Sequence, residues 1–240
     1  MRTLDLTFSD APKNLACDEA LLDACENAGA GPVLRFWEPE APFVVLGYSN
    51  PARTEVSLEC CRANGVPVLR RISGGGTVLQ GRGCLNYSLV LPIRETGSSI
   101  TATNTYVMEK NRAALEEAAG RPVSVEGHTD LCVAGVKFSG NSQRRRRTHL
   151  LFHGTILLGM DLGLIERCLP MPSLEPAYRK KRPHSAFLMN LGIDPEKVKT
   201  SLERAWGSQK GNFSVPEAEI ERLARDVYAD EAWTLRRDRK

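Results

Sequence analysis

Hydrophobic positions along the chain repeat with two periods, and the switches between the periods mark out the elements. Cys17, Leu21, Ala24 and Ala28 recur at helical spacing, so Asn14 to Ala28 reads as a helix, ended by Gly29 and Gly31. Val33 to Trp37 and Phe43 to Leu46 read as strands, separated by the turn-rich Glu38-Pro39-Glu40-Ala41-Pro42. Val66 to Arg71 and Leu85 to Leu91 are two more strands, on either side of a glycine-rich connection. Val107, Ala114, Leu115 and Ala118 mark a second helix. Asp130 to Val133 and Val136 to Ser139 form a hairpin whose two-residue turn is Ala134-Gly135, and Leu150 to Leu158 is a further strand. Two helices close the chain. Asp194-Pro195 starts the first, with Val198, Leu202, Ala205 and Trp206 on one face. Ser214 and Glu217 have capping-box spacing ahead of Ile220, Leu223, Ala224 and Val227. The expected fold class is α+β, a mixed β-sheet packed by helices.

Composition narrows the setting. With 240 residues the chain is long enough for one domain, over 1–240, to bury a sizeable core without staples. A net charge of +3 is too small to call for nucleic acid, and suits an acidic protein partner or an anionic ligand. No apolar run approaches the ~20 residues of a membrane span, and Met1-Arg2-Thr3-Leu4-Asp5 lacks the apolar core of a signal peptide, so no membrane partner is expected. Seven cysteines without zinc spacing read as reduced, mostly buried thiols of a cytoplasmic protein. The basic run Arg144-Arg145-Arg146-Arg147 reads as a solvated hairpin turn.

Three segments carry candidate chemistry. In Arg70-Arg71-Ile72-Ser73-Gly74-Gly75-Gly76-Thr77-Val78, three glycines remove every Cβ and let backbone N–H groups approach an anion, with two arginines beside them as charged donors. The loop lacks the Gly-Lys-Ser/Thr ending of a P-loop and the spacing of a dinucleotide fingerprint. Lys137 lies on a strand that alternates apolar and polar residues, with Val136 and Phe138 facing one way and Lys137 and Ser139 the other. There it can hold a carboxylate and an α-phosphate together and offset the negative charge that builds up during acyl-adenylate formation. His153, in Phe152-His153-Gly154-Thr155, sits in an apolar strand, and Gly154 suggests a close backbone approach.

Together with Asn14-Leu15-Ala16-Cys17-Asp18-Glu19-Ala20-Leu21, Phe36-Trp37, Val44 to Asn50, Gly83 to Ser88, and Asp130 with Gly135 to Gln143, these segments resemble the lipoate–protein ligase family. That family lies in the wider group of biotin protein ligases and octanoyltransferases. The resemblance covers nearly the whole chain, Tyr228 to Trp233 included. It implies a mixed-sheet catalytic domain that activates lipoate or octanoate with ATP and Mg²⁺ to acyl-AMP. The acyl group would then pass to a lysine of a lipoyl carrier domain, in a 2-oxoacid dehydrogenase subunit or a glycine-cleavage H-type protein. The implied ATP and acyl-AMP contacts are Arg71, Gly74, Gly75, Gly76, Thr77, Val78, Leu79, Asn86, Asp130 and Lys137, with Asp130 also toward the metal. The implied acyl contacts are Ser73, Lys137, Ser139, Gly140, His153, Gly154 and Thr155, and Lys137 is the implied catalytic residue.

Two departures stand out. Gly127-His128-Thr129-Asp130 replaces the common Gly-Arg-Asn-Asp, and the sequence ends where many bacterial ligases continue into an accessory domain. The second implies an accessory domain that is either absent or carried on a separate polypeptide. One alternative is an octanoyltransferase, which takes the acyl group from acyl carrier protein through a cysteine thioester without ATP; Cys132 and Cys168 are its candidate nucleophiles. A non-enzymatic subunit that presents carriers would have lost the loop arginines or Lys137, and both are present. The wording of the glycine loop argues against a biotin ligase.

Overall fold

The computed structural model describes residues 1–211 and 213–238. Its strands are β1 (Arg2–Asp5), β2 (Val33–Trp37), β3 (Phe43–Leu46), β4 (Val68–Arg70), β5 (Val78–Gln80), β6 (Cys84–Pro92), β7 (Ser124–Glu126), β8 (Asp130–Val133), β9 (Val136–Arg145), β10 (His149–Leu157) and β11 (Gln209–Lys210). Its helices are α1 (Ala11–Asn27), α2 (Ala52–Glu55), α3 (Leu58–Ala63), α4 (Ile93–Thr96), α5 (Ile100–Ala119), α6 (Leu162–Cys168), α7 (His184–Phe187), α8 (Pro195–Trp206), α9 (Glu217–Leu223) and α10 (Glu231–Thr234). Eight strands form one mixed sheet in the order β11-β1-β2-β6-β10-β9-β8-β7, and β4-β3-β5 form a small second sheet. The expected α+β class, a mixed sheet packed by helices, is the class observed.

Side-chain alternation gives the large sheet two different faces. Leu34 and Phe36 of β2, Leu85, Tyr87, Leu89 and Leu91 of β6, and Leu150, Phe152 and Ile156 of β10 pack against α5 and α8. The interleaved Val33, Trp37, Val90 and Leu151 pack against α1, α9 and the small sheet. The second face also carries the polar Arg35, Ser88 and His153, which lie opposite one another on β2, β6 and β10, and the candidate site lies there.

Several local expectations change. The hairpin strand β9 runs on to Arg145, because β10 pairs with it from Ile156↔Ser139 to Leu150↔Arg145. Ala134 and Gly135 both take positive φ, 49° and 76°, as a tight two-residue hairpin requires. The capping box at Ser214 is not formed; Pro216 occupies the N-cap of α9 with no side-chain cap bond. Asp194 does cap α8, accepting from the Glu196 N–H. The arginine run is not a freely solvated turn. Arg144 and Arg145 end a strand, Arg145 donates to the Thr103 hydroxyl, Arg146 pairs with Glu19 and Asp23, and Arg147 is exposed, its Nε 3.9 Å from Glu26. All seven cysteines are free and six are buried, Cys60 being half-buried. No helix among the described residues is long and apolar enough to cross a membrane.

Candidate functional site

Strand register builds the first part of the site. Arg35 of β2 lies opposite Ser88 of β6, Ser88 opposite His153 of β10, and His153 opposite Ser142 of β9. These four residues make a polar row across an otherwise apolar face. Asp18, on the second turn of α1, lies over the row. Its carboxylate accepts from Arg35 Nη1 at 2.7 Å, from Ser88 Oγ at 2.7 Å and from His153 Nδ1 at 3.0 Å. Burial works against the Asp18 charge, but the bond from His153, the charge of Arg35 and the bond from Ser88 outweigh it and hold the carboxyl below its usual range. Arg35 is fully buried and also donates to the Leu6 and Asn14 carbonyls. With Nδ1 donating to Asp18, His153 Nε2 accepts from the Ser73 hydroxyl at 2.6 Å. A chain of hydrogen bonds therefore runs from a buried ion pair into the glycine loop.

The loop is held from within. Arg71 donates from Nε to Ser73 Oγ, from Nη1 to the Val45 carbonyl, and from Nη2 to the Gly74 and Gly76 carbonyls. Burial pushes its pKa down to about 10. The sequence suggested Arg71 as an anion donor; the structure engages it chiefly as the strut that shapes the loop. Arg70 is engaged likewise, on the Thr234, Gly47 and Asn50 carbonyls. Of the three glycines Gly75 alone has a positive φ, 82°, and a Cβ on neighbouring Gly47 would sit 2.1 Å from the Gly75 carbonyl oxygen. Ser142 Oγ donates to the Gly74 carbonyl and ties the loop to β9.

Two adjoining cavities open on this frame. The smaller, of about 130 Å³, is lined by Leu15, Trp37, Val45 and Tyr87, and by the sequence-selected Arg71, Asn86, His153 and Gly154. The larger, of about 500 Å³, is lined by Phe138, Leu157, Ile165, Leu169 and Phe187, and by the sequence-selected Gly75, Leu79 and Ser139. Gly76, Thr77, Val78, Asp130, Lys137, Gly140 and Thr155 border both. Ser73 and Gly74 line neither; Ser73 is buried behind the loop, against His153.

Lys137 stands at the junction. Its Nζ lies 2.8 Å from Asp130 Oδ1, and the other carboxylate oxygen accepts from Tyr178 OH at 2.7 Å. Gly140 leaves room for the lysine, since a Cβ there would lie 2.8 Å from Nζ. The close approach suggested by Gly154 is to Asn141, whose Oδ1 would lie 1.8 Å from a Cβ at 154. Asn141 in turn accepts from Tyr87 OH and donates to the Thr129 carbonyl. Asp130 was also expected toward Mg²⁺. Here one of its oxygens pairs with Lys137 and the other accepts from Tyr178.

Sequence reasoning passed over Asp18, Arg35, Ser88, Asn141 and Tyr178. The available signal was a polar residue at alternate positions of apolar strands, as in Val33-Leu34-Arg35-Phe36-Trp37. Among the described residues no cysteine lines either cavity. Cys132 is linked to the lysine pair through Tyr178, at 3.8 Å, and burial pushes its thiol up to about 11. Cys168 lies 3.2 Å from Cys60, and burial pushes it up to about 12.

Comparison with known proteins adds a family. The model of the lipoyl protein ligase A/B catalytic domain matches residues 10–206. The chain is 32% identical to octanoyltransferase LipM of Carboxydothermus hydrogenoformans, over 96% of each chain. It is 36% identical to a putative lipoate-protein ligase A of Aeropyrum pernix, over 69% of this chain and 60% of that one. A bi-partite lipoate protein ligase from Thermoplasma acidophilum, solved in work on a lipoylation system with its E2 lipoyl domain, superposes with a TM-score of 0.82 at 23% identity, covering 100% of this chain and 97% of that one. That likeness bears out the expected fold. The expectation of an ATP-dependent ligase that forms acyl-AMP is overturned. Relatives that match along nearly the whole chain, those of Carboxydothermus hydrogenoformans and Geobacillus kaustophilus among them, are octanoyltransferases, which favours the transferase alternative over the ligase.

Proposed function

The chain belongs to the lipoyl protein ligase A/B catalytic domain family, and on that premise we propose that it transfers an octanoyl group from a thioester donor to a lysine of a lipoyl carrier domain. The observation that carries this reading is Lys137, fixed by Asp130 where the two cavities meet. The acyl chain occupies the smaller cavity, against Leu15, Trp37 and Val45, and the donor's arm enters the larger one along Phe138, Leu169 and Phe187.

The carrier amine attacks the thioester carbonyl. A C–N bond forms, the C–S bond breaks, and the leaving thiolate takes up the proton that the amine gives up. Negative charge gathers on the carbonyl oxygen in between, and the Lys137 ammonium, already oriented by Asp130, is placed to stabilise it. Glycine-loop N–H groups hold the carbonyl in place for attack. Transfer runs directly from donor to acceptor, in keeping with cavity linings that hold no cysteine among the described residues, while burial raises the Cys132 and Cys168 thiols rather than activating them.

The test supplies an octanoyl thioester and a lipoyl carrier domain without nucleotide and follows carrier mass. The expected result is an octanoylated carrier. The Cys132→Ser and Cys168→Ser proteins should retain the reaction, with no acylated enzyme seen by intact mass. A carrier modified solely when ATP and free octanoate are supplied would overturn the proposal. An acyl-enzyme lost in either serine protein would overturn its direct-transfer step.

A further inference from the structure

Beside the mouth of the smaller cavity lies a group of arginines that the transfer chemistry does not use. Arg236 stacks on both Tyr48 and Trp233, its guanidinium carbon 3.8 Å from each ring centre. Arg144 and Arg237 each lie 5.5 Å from the centre of the same Tyr48 ring. Among the described residues none of the three has a carboxylate within ion-pair distance, whereas neighbouring Arg146 has two. Asp238, the acid nearest in sequence, is committed to the backbone N–H groups of Ala52 and Arg53. The Nε atoms of Arg144 and Arg236 have no hydrogen-bond partner. The cations also press on Arg70, whose pKa falls to about 10 through burial and then the charge of Arg236.

The place of the group gives it meaning. The Tyr48 N–H donates to the Ser73 carbonyl, so the tyrosine abuts the glycine loop. Arg144 lies two residues beyond Ser142, on the same side of β9, and Ser142 lines the smaller cavity. Two residues along a strand span about 7 Å. A folded domain that delivers a lysine side chain into that cavity must lie over this rim. Arg144 feels the charge of Glu19, which is paired with Arg146, yet none of the three cations has a carboxylate of its own at ion-pair distance; such a group favours an anionic surface, and stacking holds the guanidinium planes ready for carboxylates.

We propose that Arg144, Arg236 and Arg237 form the docking rim for an acidic face of the acceptor domain. This inference rests on the acyl-transfer reading for the acceptor's identity. The rim sets how fast and in what orientation the acceptor arrives, and leaves the chemical step untouched.

The experiment reverses charge at the outer two positions, R144E with R237E, and leaves Arg236 to its aromatic contacts. Carrier binding is measured by calorimetry with no donor present, so the outcome does not depend on which acyl donor the enzyme uses. Affinity for a purified lipoyl carrier domain should fall about tenfold or more at low salt, and the gap should close as salt rises. In the transfer assay the carrier KM should rise by a similar factor, while kcat and the acylation of a small amine stay unchanged. A carrier with one acidic face residue reversed to lysine should regain affinity for the variant. Unchanged carrier affinity would overturn the proposal. So would a rise in donor KM with carrier KM constant, which would assign the rim to the donor. Equal loss of carrier and small-amine acylation would show damage to the site itself, and would overturn it too.

Discussion

Replacing Asp18 by Asn keeps the shape of the side chain and removes its charge. In the native protein the carboxylate accepts three side-chain hydrogen bonds, from Arg35, Ser88 and His153, at 2.7, 2.7 and 3.0 Å. An amide offers one acceptor oxygen, and its NH₂ must face at least one of these donors. Arg35 is 0% exposed, so it keeps its charge with no counter-ion and no water. Removing one partner of a buried pair costs about 3–5 kcal/mol. Against a total stability of roughly 5–15 kcal/mol, that is a large fraction. With a slope of about 2–3 kcal/mol per molar urea, the unfolding midpoint should fall by about 1–2 M at unchanged slope. Removing both charges, in Asp18→Leu with Arg35→Met, should cost less than the sum of the two single changes by about 2 kcal/mol or more. The pH dependence supplies a second reading. The folded-state pKa of Asp18 lies below its unfolded value, so its contribution is fully present above about pH 4. It is lost as pH falls through the folded value, and the gap between wild type and variant must narrow in strongly acid solution. A midpoint shifted by less than about 0.3 M, or single and double variants that simply add, would refute the role given to this pair.

Gly154→Ala places a methyl 1.8 Å from Asn141 Oδ1, so the Asn141 bonds to Tyr87 and Thr129 must break; a loss of about 1–3 kcal/mol is expected by denaturant unfolding, together with weaker acyl binding. Lys137→Met should lower kcat for carrier acylation about 10²–10³-fold with carrier affinity by calorimetry unchanged, and near-normal turnover would remove the lysine from the chemistry. Glu26 accepts from the backbone N–H groups of Arg147, Thr148 and His149 and from the Thr148 hydroxyl. Burial opposes its charge, yet the Thr148 bonds lead the others in pulling it down to about 2. Glu26→Gln should therefore lower thermal stability at neutral pH, and the difference should persist to about pH 4.3 and vanish as pH falls through about 2. A difference that grew on acidification would contradict that account.

Features that depend on neighbours in the chain were legible before folding. Period-two and helical alternation located β2, β3, β6, β10, α1 and α8 to within a few residues. Gly135 marked the hairpin, because that turn needs positive φ, which glycine takes freely and Ala134 takes only under the constraint of the paired strands. The glycine loop, Lys137 and His153 were visible because three glycines or a lone polar residue in an apolar run is a local contrast. Register, long-range pairing and face-to-face packing lay beyond it. Short strands such as β1 and β11 exist because β2 gives β1 a parallel partner and β1 in turn pairs with β11, and neither has an amphipathic pattern of its own. Arg35, Ser88 and His153 lie 118 residues apart in sequence from first to last, and only the pairing of β2, β6 and β10 sets them in one row under Asp18. Arg71 looked free for an anion, and the fold turned it inward, because a buried guanidinium must satisfy its N–H groups on the nearest carbonyls. The arginine rim is likewise tertiary: it forms where β9 and the end of the chain meet at Tyr48, a contact that no local pattern encodes.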